Sequence, residues 1–171
     1  GALRYKISHD DPGDVEGERP RKKIPTKVMW YAPIIPRLKR LFQNKEHAKV
    51  MRWHAEDRKK DGKLRAPADG SQWRKIERKY REEFAGDPRN VWFGLSVDGI
   101  NPFGEHSSNH STWPVTLCLY NLPPWLCMKR KFIMMPVLIP GPKKPGNDID
   151  VYLRPLVEEL LQVWNGKGVR A

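Results

Sequence analysis

The chain has 171 residues, of which 39% are hydrophobic and 30% charged, with 16 prolines and a formal net charge of +12. This length suits one ordinary domain or a small module joined to part of a larger one, and the proline content argues against an uninterrupted helical bundle. No apolar run is long enough to span a membrane and the N-terminus lacks a signal-peptide layout, so we expect no membrane partner.

The positive charge is concentrated in the first half of the chain. Residues 1–90 hold 24 Lys and Arg against 14 Asp and Glu, whereas residues 91–171 hold 8 against 6. A basic region of this kind is typical of proteins that bind a phosphate backbone, and we expect DNA as the partner. A solvated basic surface without such a partner is the alternative that charge alone leaves open.

Residues 1–27 are polar, with acidic "HDDPGDVEGE" followed by basic "RPRKKIP" and no hydrophobic periodicity. They are predicted to form a disordered or extended lead-in. The "RPRKK" run is a weak nuclear-import signal, and a nuclear location is our expectation.

Residues 28–90 are predicted to form short basic helices. Pro36 suits the first turn of one helix, with Leu38 and Leu41 on its apolar side. Asn44 can cap a second helix, because its side chain can accept a bond from a free amide of the first turn.

The buried face of the second helix is expected to include Met51 and Ala55. A third helix is predicted to begin with Ser71 as its cap and to carry Trp73 on its apolar side. An exposed aromatic surface can stack on nucleic-acid bases, but tryptophan at helical spacing more commonly belongs to a core.

The basic side chains of these helices are the candidate contacts to DNA phosphates. They are Arg37, Lys39, Arg40, Lys49, Arg52, Arg58, Lys59, Arg74, Lys75 and Arg78.

Alternating apolar residues predict strands from residue 91 onward. "VWFGLSV" and "VTLCLY" alternate, and "KFIMMPVLIPG" is a continuous apolar run that contains Pro136. Because proline cannot donate to a ladder, the third strand is expected at a sheet edge or with a bulge. The segment 147–166 is predicted to form a long amphipathic helix, with Glu158 and Glu159 on its solvent side.

Cys118 and Cys127 lie nine residues apart and form no metal-chelating pair. We therefore expect reduced thiols in an intracellular protein and no zinc site in this chain.

Asp98 is the single acidic residue of "VWFGLSVDGINPFG". Three antiparallel strands followed by a helix, with an aspartate on the first strand, is how a ribonuclease H-like nuclease domain begins. On such a fold, carboxylates hold the two divalent cations that assist phosphodiester chemistry. A lone aspartate before a glycine also suits an ordinary turn, and the pattern alone favours that interpretation.

Longer segments resemble a known family. "PRNVWFGLSVDGINPFG", "WPVTLCLYNLPPWLCMK", "FIMMPVLIPGPKKPGNDIDVYLRPLVEELLQVW" and "RLKRLFQNKEHAKVMRWHAEDRKKDGKLRAPADG" closely resemble the transposases of plant CACTA-type DNA transposons, from about Tyr31 to Trp164. The resemblance implies an α+β chain, in which residues 91–171 form the first half of a ribonuclease H-like core. It also implies DDE-type cleavage and joining of DNA with Mg²⁺ or Mn²⁺, and Asp98 matches the first metal-binding aspartate.

The chain departs from the family in its acidic ligands. The family's second and third acidic ligands lie beyond the last helix, and its cysteine-containing module lies upstream of residue 1. Asp148 and Asp150 sit at a predicted helix N-terminus, where capping and the helix dipole explain them. We therefore expect a fragment with an incomplete active site, whose activity as an enzyme is uncertain.

Two further interpretations stay open. The chain is alternatively a non-catalytic DNA-binding module, or a protein-interaction remnant of a transposon protein that can self-associate. Other candidate sites are weaker: His106 and His110 have metal-like spacing but suit a polar loop, and His54 suits packing or a phosphate contact.

Overall fold

In a computed structural model, residues 5–6, 24–103 and 110–167 are described. The fold is mixed α and β, with a four-stranded antiparallel sheet. The strands are β1 (Tyr5–Lys6), β2 (Ile24–Pro25), β3 (Trp30–Tyr31), β4 (Phe93–Val97), β5 (Trp113–Leu119) and β6 (Met134–Ile139). Within the described residues there are six α-helices: α1 (Ile35–Gln43), α2 (Lys45–Val50), α3 (Trp53–Glu56), α4 (Ser71–Lys79), α5 (Pro124–Cys127) and α6 (Ile149–Gln162).

The main sheet has the strand order β3-β6-β5-β4, and every pair is antiparallel. Strands β4, β5 and β6 therefore follow one another in the chain and lie side by side, as two alternating patterns and one continuous apolar run predict. The short strand β3 extends the sheet beyond β6, and the sequence analysis did not foresee it. Two residues give too little alternation to reveal a strand.

Among the described strands, β1 and β2 pair with each other and form a separate two-stranded sheet. Most of the predicted lead-in over residues 1–27, including the "RPRKK" run, lies outside the described residues.

Pro136 lies inside the sheet, so the expectation of an edge strand is wrong. The alternative, an irregular register, is confirmed: the pairing of β5 with β6 shifts between Val115 and Leu117. The carbonyl of Pro136 accepts a hydrogen bond of 2.7 Å from the amide of Ala32, next to β3. The irregularity accommodates a residue that has no amide hydrogen to donate.

The first helix forms as predicted. Pro36 lies in its first turn, and Leu38 and Leu41 are buried. The Asn44 cap is also confirmed, since its side-chain oxygen accepts a 3.0 Å bond from the amide of His47.

Two details of the next helices differ from the prediction. The chain turns between α2 and α3, so His54 is buried and Ala55 is exposed. Ser71 is the first residue of α4 rather than its cap, and Gly70 occupies the cap position without a side-chain bond. In the first case α2 ends at Val50, earlier than the hydrophobic pattern suggested, and in the second α4 begins one residue earlier, at Ser71. Helix ends commonly differ by a residue or two in this way.

One hydrophobic core joins the early helices to the sheet. Its buried residues lie in and beside the first two helices, in β5 and β6, in the connection between these two strands and in α6: Ile34, Leu38, Leu41, Met51, Val115, Leu117, Leu119, Leu122, Phe132, Met134, Val137, Ile139 and Leu156. Within β5, Val115, Leu117 and Leu119 are buried while the residues between them are half-buried, so one face of the sheet carries most of the core.

Glu159 is buried, which corrects the expectation that it faces solvent; Glu158 is exposed as expected. The Glu159 carboxylate accepts 2.9 Å hydrogen bonds from the amides of Ile34 and Ile35, at the start of α1. It also accepts a bond from the Tyr31 hydroxyl. A carboxylate is stabilised there because free amides and the positive end of the helix dipole converge on it. None of the helices in the described part of the chain is both long enough and apolar enough to cross a membrane.

Candidate nucleic-acid interface and catalytic carboxylate

Asp98 follows the last residue of β4, and its side chain is exposed. Val97 pairs with Val115, and Ile100 pairs with Thr112, so the same register places Asp98 opposite Pro114. Its Oδ1 accepts a 2.7 Å hydrogen bond from the amide of Gly99. Asp98 thus lies in the β4–β5 hairpin rather than in a detached loop, at a point that solvent and ligands can reach.

The described residues do not form a metal centre around Asp98. Among them, no three His, Cys, Asp or Glu side chains are grouped closely enough to hold a metal ion. Asp148 occupies the cap position of α6 without making a side-chain capping bond, and Asp150 lies in its first turn. Both are exposed, so the helix dipole is the interaction that remains for them. A divalent cation bound at Asp98 would need ligands other than these.

Three of the ten candidate DNA contacts are arginines that bond to Lys131 or Asp69 of the protein. The Arg37 guanidinium donates to the carbonyl of Lys131 at 2.7 Å. Arg58 forms an ion pair with Asp69 at 2.5 Å, with the two side chains 12% and 7% exposed. The Arg74 guanidinium donates to the Asp69 carbonyl at 3.0 Å. These bonds tie the three arginines to the fold; Arg37 and Arg58 are also partly buried, whereas Arg74 is exposed.

Asp69 is held by several donors at once. Burial alone would raise the pKa of its carboxyl, but bonds from the amides of Arg65 and Ala66 and from Arg58 outweigh burial, so the pKa is lowered. The ionised carboxylate therefore fixes the turn that leads into α4.

The other seven candidates have solvent-accessible side chains. Arg52 forms an ion pair with Glu56 at 3.1 Å on the surface, where such pairs contribute little. The remaining six are exposed: Lys39, Arg40, Lys49, Lys59, Lys75 and Arg78. These side chains are the part of the predicted set that best fits contact with a phosphate backbone.

The tryptophan of α4 belongs to the interior. Trp73 is 6% exposed and its ring stacks on that of Trp92, with centroids 4.0 Å apart. The Trp92 ring also contacts Phe84, whose ring stacks on Trp164. The core interpretation of Trp73 is thus confirmed, because a ring stacked inside the protein offers no face to a base.

His54 and Asn121 form a buried polar pair beside this aromatic cluster. The Asn121 side chain accepts a 2.6 Å bond from the Trp92 amide and donates a 2.8 Å bond to the Asn90 carbonyl. Its amide nitrogen also lies 3.4 Å from the His54 ring. Burial lowers the pKa of His54, so packing rather than a phosphate contact explains this histidine.

His106 lies outside the described residues, so the spacing of His106 and His110 is untested. The His110 ring contacts Phe103, with ring centroids 5.0 Å apart. Cys118 and Cys127 are free thiols, and burial raises the pKa of the Cys127 thiol.

A surface around α5 was not predicted from the sequence. Trp125 and Met128 are 65% and 67% exposed, and Lys129, Arg130 and Lys131 follow directly. The signal was present in the sequence: residues 106–147 contain five Lys or Arg and no Asp or Glu. This basic stretch is concealed when the charge is averaged over the whole of residues 91–171.

Comparison with known proteins identifies one matching family. A family model described as "Transposase family tnp2" matches residues 61–171, which are 111 of the 171 residues. No curated protein matches the chain, and no solved structure does either. The matched residues include Asp98, the three consecutive strands β4, β5 and β6, and α6. Since the match covers more than half of its length, the chain belongs to the tnp2 family of transposases.

Proposed function

We propose that this chain is part of a plant CACTA-type transposase of the DDE class, with a ribonuclease H-like catalytic domain that cleaves and joins DNA. Membership in the tnp2 family supports a transposase. The observation that carries the finer proposal is the position of Asp98, exposed at the end of the first of three consecutive antiparallel strands. That is where this class of nuclease needs its first carboxylate.

In this proposal Asp98 is one ligand of Mg²⁺ or Mn²⁺ in a longer transposase that contains the segment. Such metals, when bound, activate the attacking oxygen and stabilise the leaving oxygen of a phosphodiester. Because no three His, Cys, Asp or Glu side chains of the described residues are grouped to hold a metal, further ligands would come from elsewhere in that protein. Strand β4 pairs only with β5 among the described strands, so its other edge is open to a further strand that could bring one.

The catalytic part of the proposal is tested in a full-length family member that carries this segment. We expect Asp98→Asn to abolish strand cleavage in Mg²⁺ or Mn²⁺ while DNA binding and the unfolding midpoint stay unchanged. Asp150→Asn, an exposed aspartate on α6, is the matched control and should cleave normally. Normal cleavage by the Asp98→Asn protein would reject the assignment.

The DNA-binding part of the proposal concerns the exposed basic side chains of residues 28–90. They would contact transposon-end DNA through its phosphates, in the nucleus. We expect duplex affinity to fall steeply with salt, since each phosphate contact releases counterions and steepens the logarithmic slope by about 0.9. An affinity that does not change with salt would reject this part.

A second candidate is a DNA-binding module without catalysis. It is favoured by one observation, that no group of three metal-ligating side chains gathers at Asp98 among the described residues. This candidate requires DNA binding that is indifferent to Mg²⁺ and unaffected by Asp98→Asn, and no cleavage in the full-length protein. The same cleavage assay therefore separates the two candidates.

A further inference from the structure

The turn that follows β5 presents an aromatic and basic surface, which we call the α5 ridge: Trp125, Met128, Lys129, Arg130 and Lys131. All five side chains are exposed. An indole with 65% of its surface in solvent is unusual for a side chain of this size, since tryptophan is highly buried on average. The α5 ridge therefore has the composition of a binding surface rather than that of a solvated loop.

The ridge is held rigidly by the protein. Pro123 and Pro124 fix the backbone ahead of Trp125, and the amides of Leu126 and Cys127 donate to the Pro123 carbonyl at 2.9 and 3.0 Å. At the far end, the Lys131 carbonyl accepts the 2.7 Å bond from Arg37. A rigid platform loses little conformational freedom when it binds a ligand.

The indole of Trp125 is also oriented by a neighbour. Its ring centroid lies 5.9 Å from that of Trp53, and the two planes meet at 75°. This edge contact fixes the ring without stacking on it, so much of its π surface stays accessible.

Charge indicates which ligand the ridge would take. Three consecutive cationic side chains follow the aromatic and thioether groups, and no carboxylate occurs in residues 106–147. An aromatic ring beside a phosphate-attracting cluster is the combination that binds single-stranded nucleic acid, where the base stacks and the backbone is neutralised.

From these observations we propose that the α5 ridge binds single-stranded DNA, with a base stacked on Trp125 and phosphates contacted by Lys129 and Arg130. The inference rests on the proposed DNA-binding function and names a second surface for it. Pro114, opposite Asp98, and Tyr120, just after β5, are six positions apart in the chain, which is roughly 20 Å of strand. The ridge therefore lies away from Asp98 and would bind a strand segment distant from the cleavage position.

The test compares two DNA probes with the complete 171-residue chain. One probe is a blunt duplex, and the other is the same duplex with a single-stranded overhang that contains 2-aminopurine. We expect tighter binding of the overhang probe and quenching of 2-aminopurine fluorescence as the base stacks. Trp125→Ala should weaken overhang binding about tenfold and remove the quenching, whereas duplex affinity should change less than twofold.

Matched variants separate stacking from folding. Trp125→Phe should retain part of the affinity and quenching, because a smaller ring still stacks. Trp30→Ala removes another tryptophan that is 72% exposed, on β3, and should leave both probes unaffected. Replacing Lys129 and Arg130 together by glutamine should reduce the salt slope for the overhang by about 1.4.

Each outcome decides a different point. Unchanged overhang affinity and quenching in Trp125→Ala, with duplex binding intact, would overturn the ridge assignment alone. Failure of the unaltered chain to bind either probe would overturn both this inference and the DNA-binding function. Self-association that depends on Trp125, seen by sedimentation without preference for the overhang, would assign the ridge to a protein contact and overturn the inference.

Discussion

Tyr31 and Glu159 lie 128 residues apart in the chain, and the Tyr31 hydroxyl donates a hydrogen bond to the Glu159 carboxylate. Burial, followed by this bond and the negative charge of Glu159, raises the pKa of Tyr31. The same carboxylate accepts the amides of Ile34 and Ile35. One side chain of α6 therefore joins β3, the start of α1 and the last helix.

We expect Glu159→Gln to destabilise the protein. The amide group of glutamine cannot accept from all three donors, and a buried donor without a partner is costly, so the free energy of unfolding should fall by about 2–4 kcal/mol. Urea unfolding measures the change. Glu158→Gln, at the exposed neighbouring position, should stay within about 0.5 kcal/mol of the unaltered protein. Equal losses in the two variants would contradict the role of Glu159.

Acidification should destabilise the protein through His54. Because burial lowers its pKa below the ordinary value of 6.5, the unfolded chain takes up this proton first as pH falls. The stabilising contribution is complete above pH 6.5 and decreases below it, by at most about 1.4 kcal/mol per pH unit, until the folded pKa is reached.

Urea unfolding at pH 7.5 and pH 5.5 measures this effect. His54→Gln should reduce the difference between the two pH values even if it lowers stability at both. His47→Gln, which alters a half-buried histidine of α2, should leave the difference in place. A difference that persists in His54→Gln would show that another group is responsible.

We expect the Asn121 side chain to contribute strongly to the free energy of unfolding. It is fully buried, and Asn121→Ala would leave the Trp92 amide and the Asn90 carbonyl without their partners. We expect a loss of about 2–4 kcal/mol in the free energy of unfolding. Asn147→Ala, at an exposed asparagine, is the control and should be nearly neutral. A neutral Asn121→Ala would mean that water replaces the lost bonds.

We expect the adjacent basic residues Arg58 and Lys59 to affect different properties, the first stability and the second DNA binding. Arg58→Gln breaks the buried ion pair with Asp69 and should cost about 3–5 kcal/mol of stability. Lys59→Gln changes an exposed side chain and should leave the unfolding midpoint unchanged. In duplex DNA binding, Lys59→Gln should reduce the salt slope by about 0.9 if Lys59 contacts a phosphate. An unchanged slope would remove Lys59 from the interface.

The sequence predicted the elements whose signals are local. The position of strand β4, the stripe of α1 and the Asn44 cap each depend on residues a few positions apart, and the structure confirms them. The apolar side of β4 is not uniformly buried, since Leu95 is 56% exposed. Glu159 was misplaced because its partners lie more than 120 residues away, and a glutamate on a helix gives no local sign of them.

In the candidate site, too, features with a local sequence signal could be predicted, and features that depend on distant partners could not. The pattern identified exposed lysines such as Lys59 and Lys75, but it could not separate them from Arg58, because only the fold brings Asp69 to that arginine. The metal role of Asp98 stays a prediction, since it depends on ligands that the described residues do not supply. The boundary near residue 90 between a helical region and a nuclease domain also stays a prediction.

Strand β3 contains only two residues, yet it covers the outer side of β6, whose sequence is "MMPVLI". A shortened version beginning at residue 91 would leave that apolar strand with unpaired backbone groups. Such an edge recruits other chains, so the shortened protein should precipitate or form fibrils instead of staying in solution. Any dissection of this transposase segment therefore has to keep Trp30 and Tyr31 with the strands that follow.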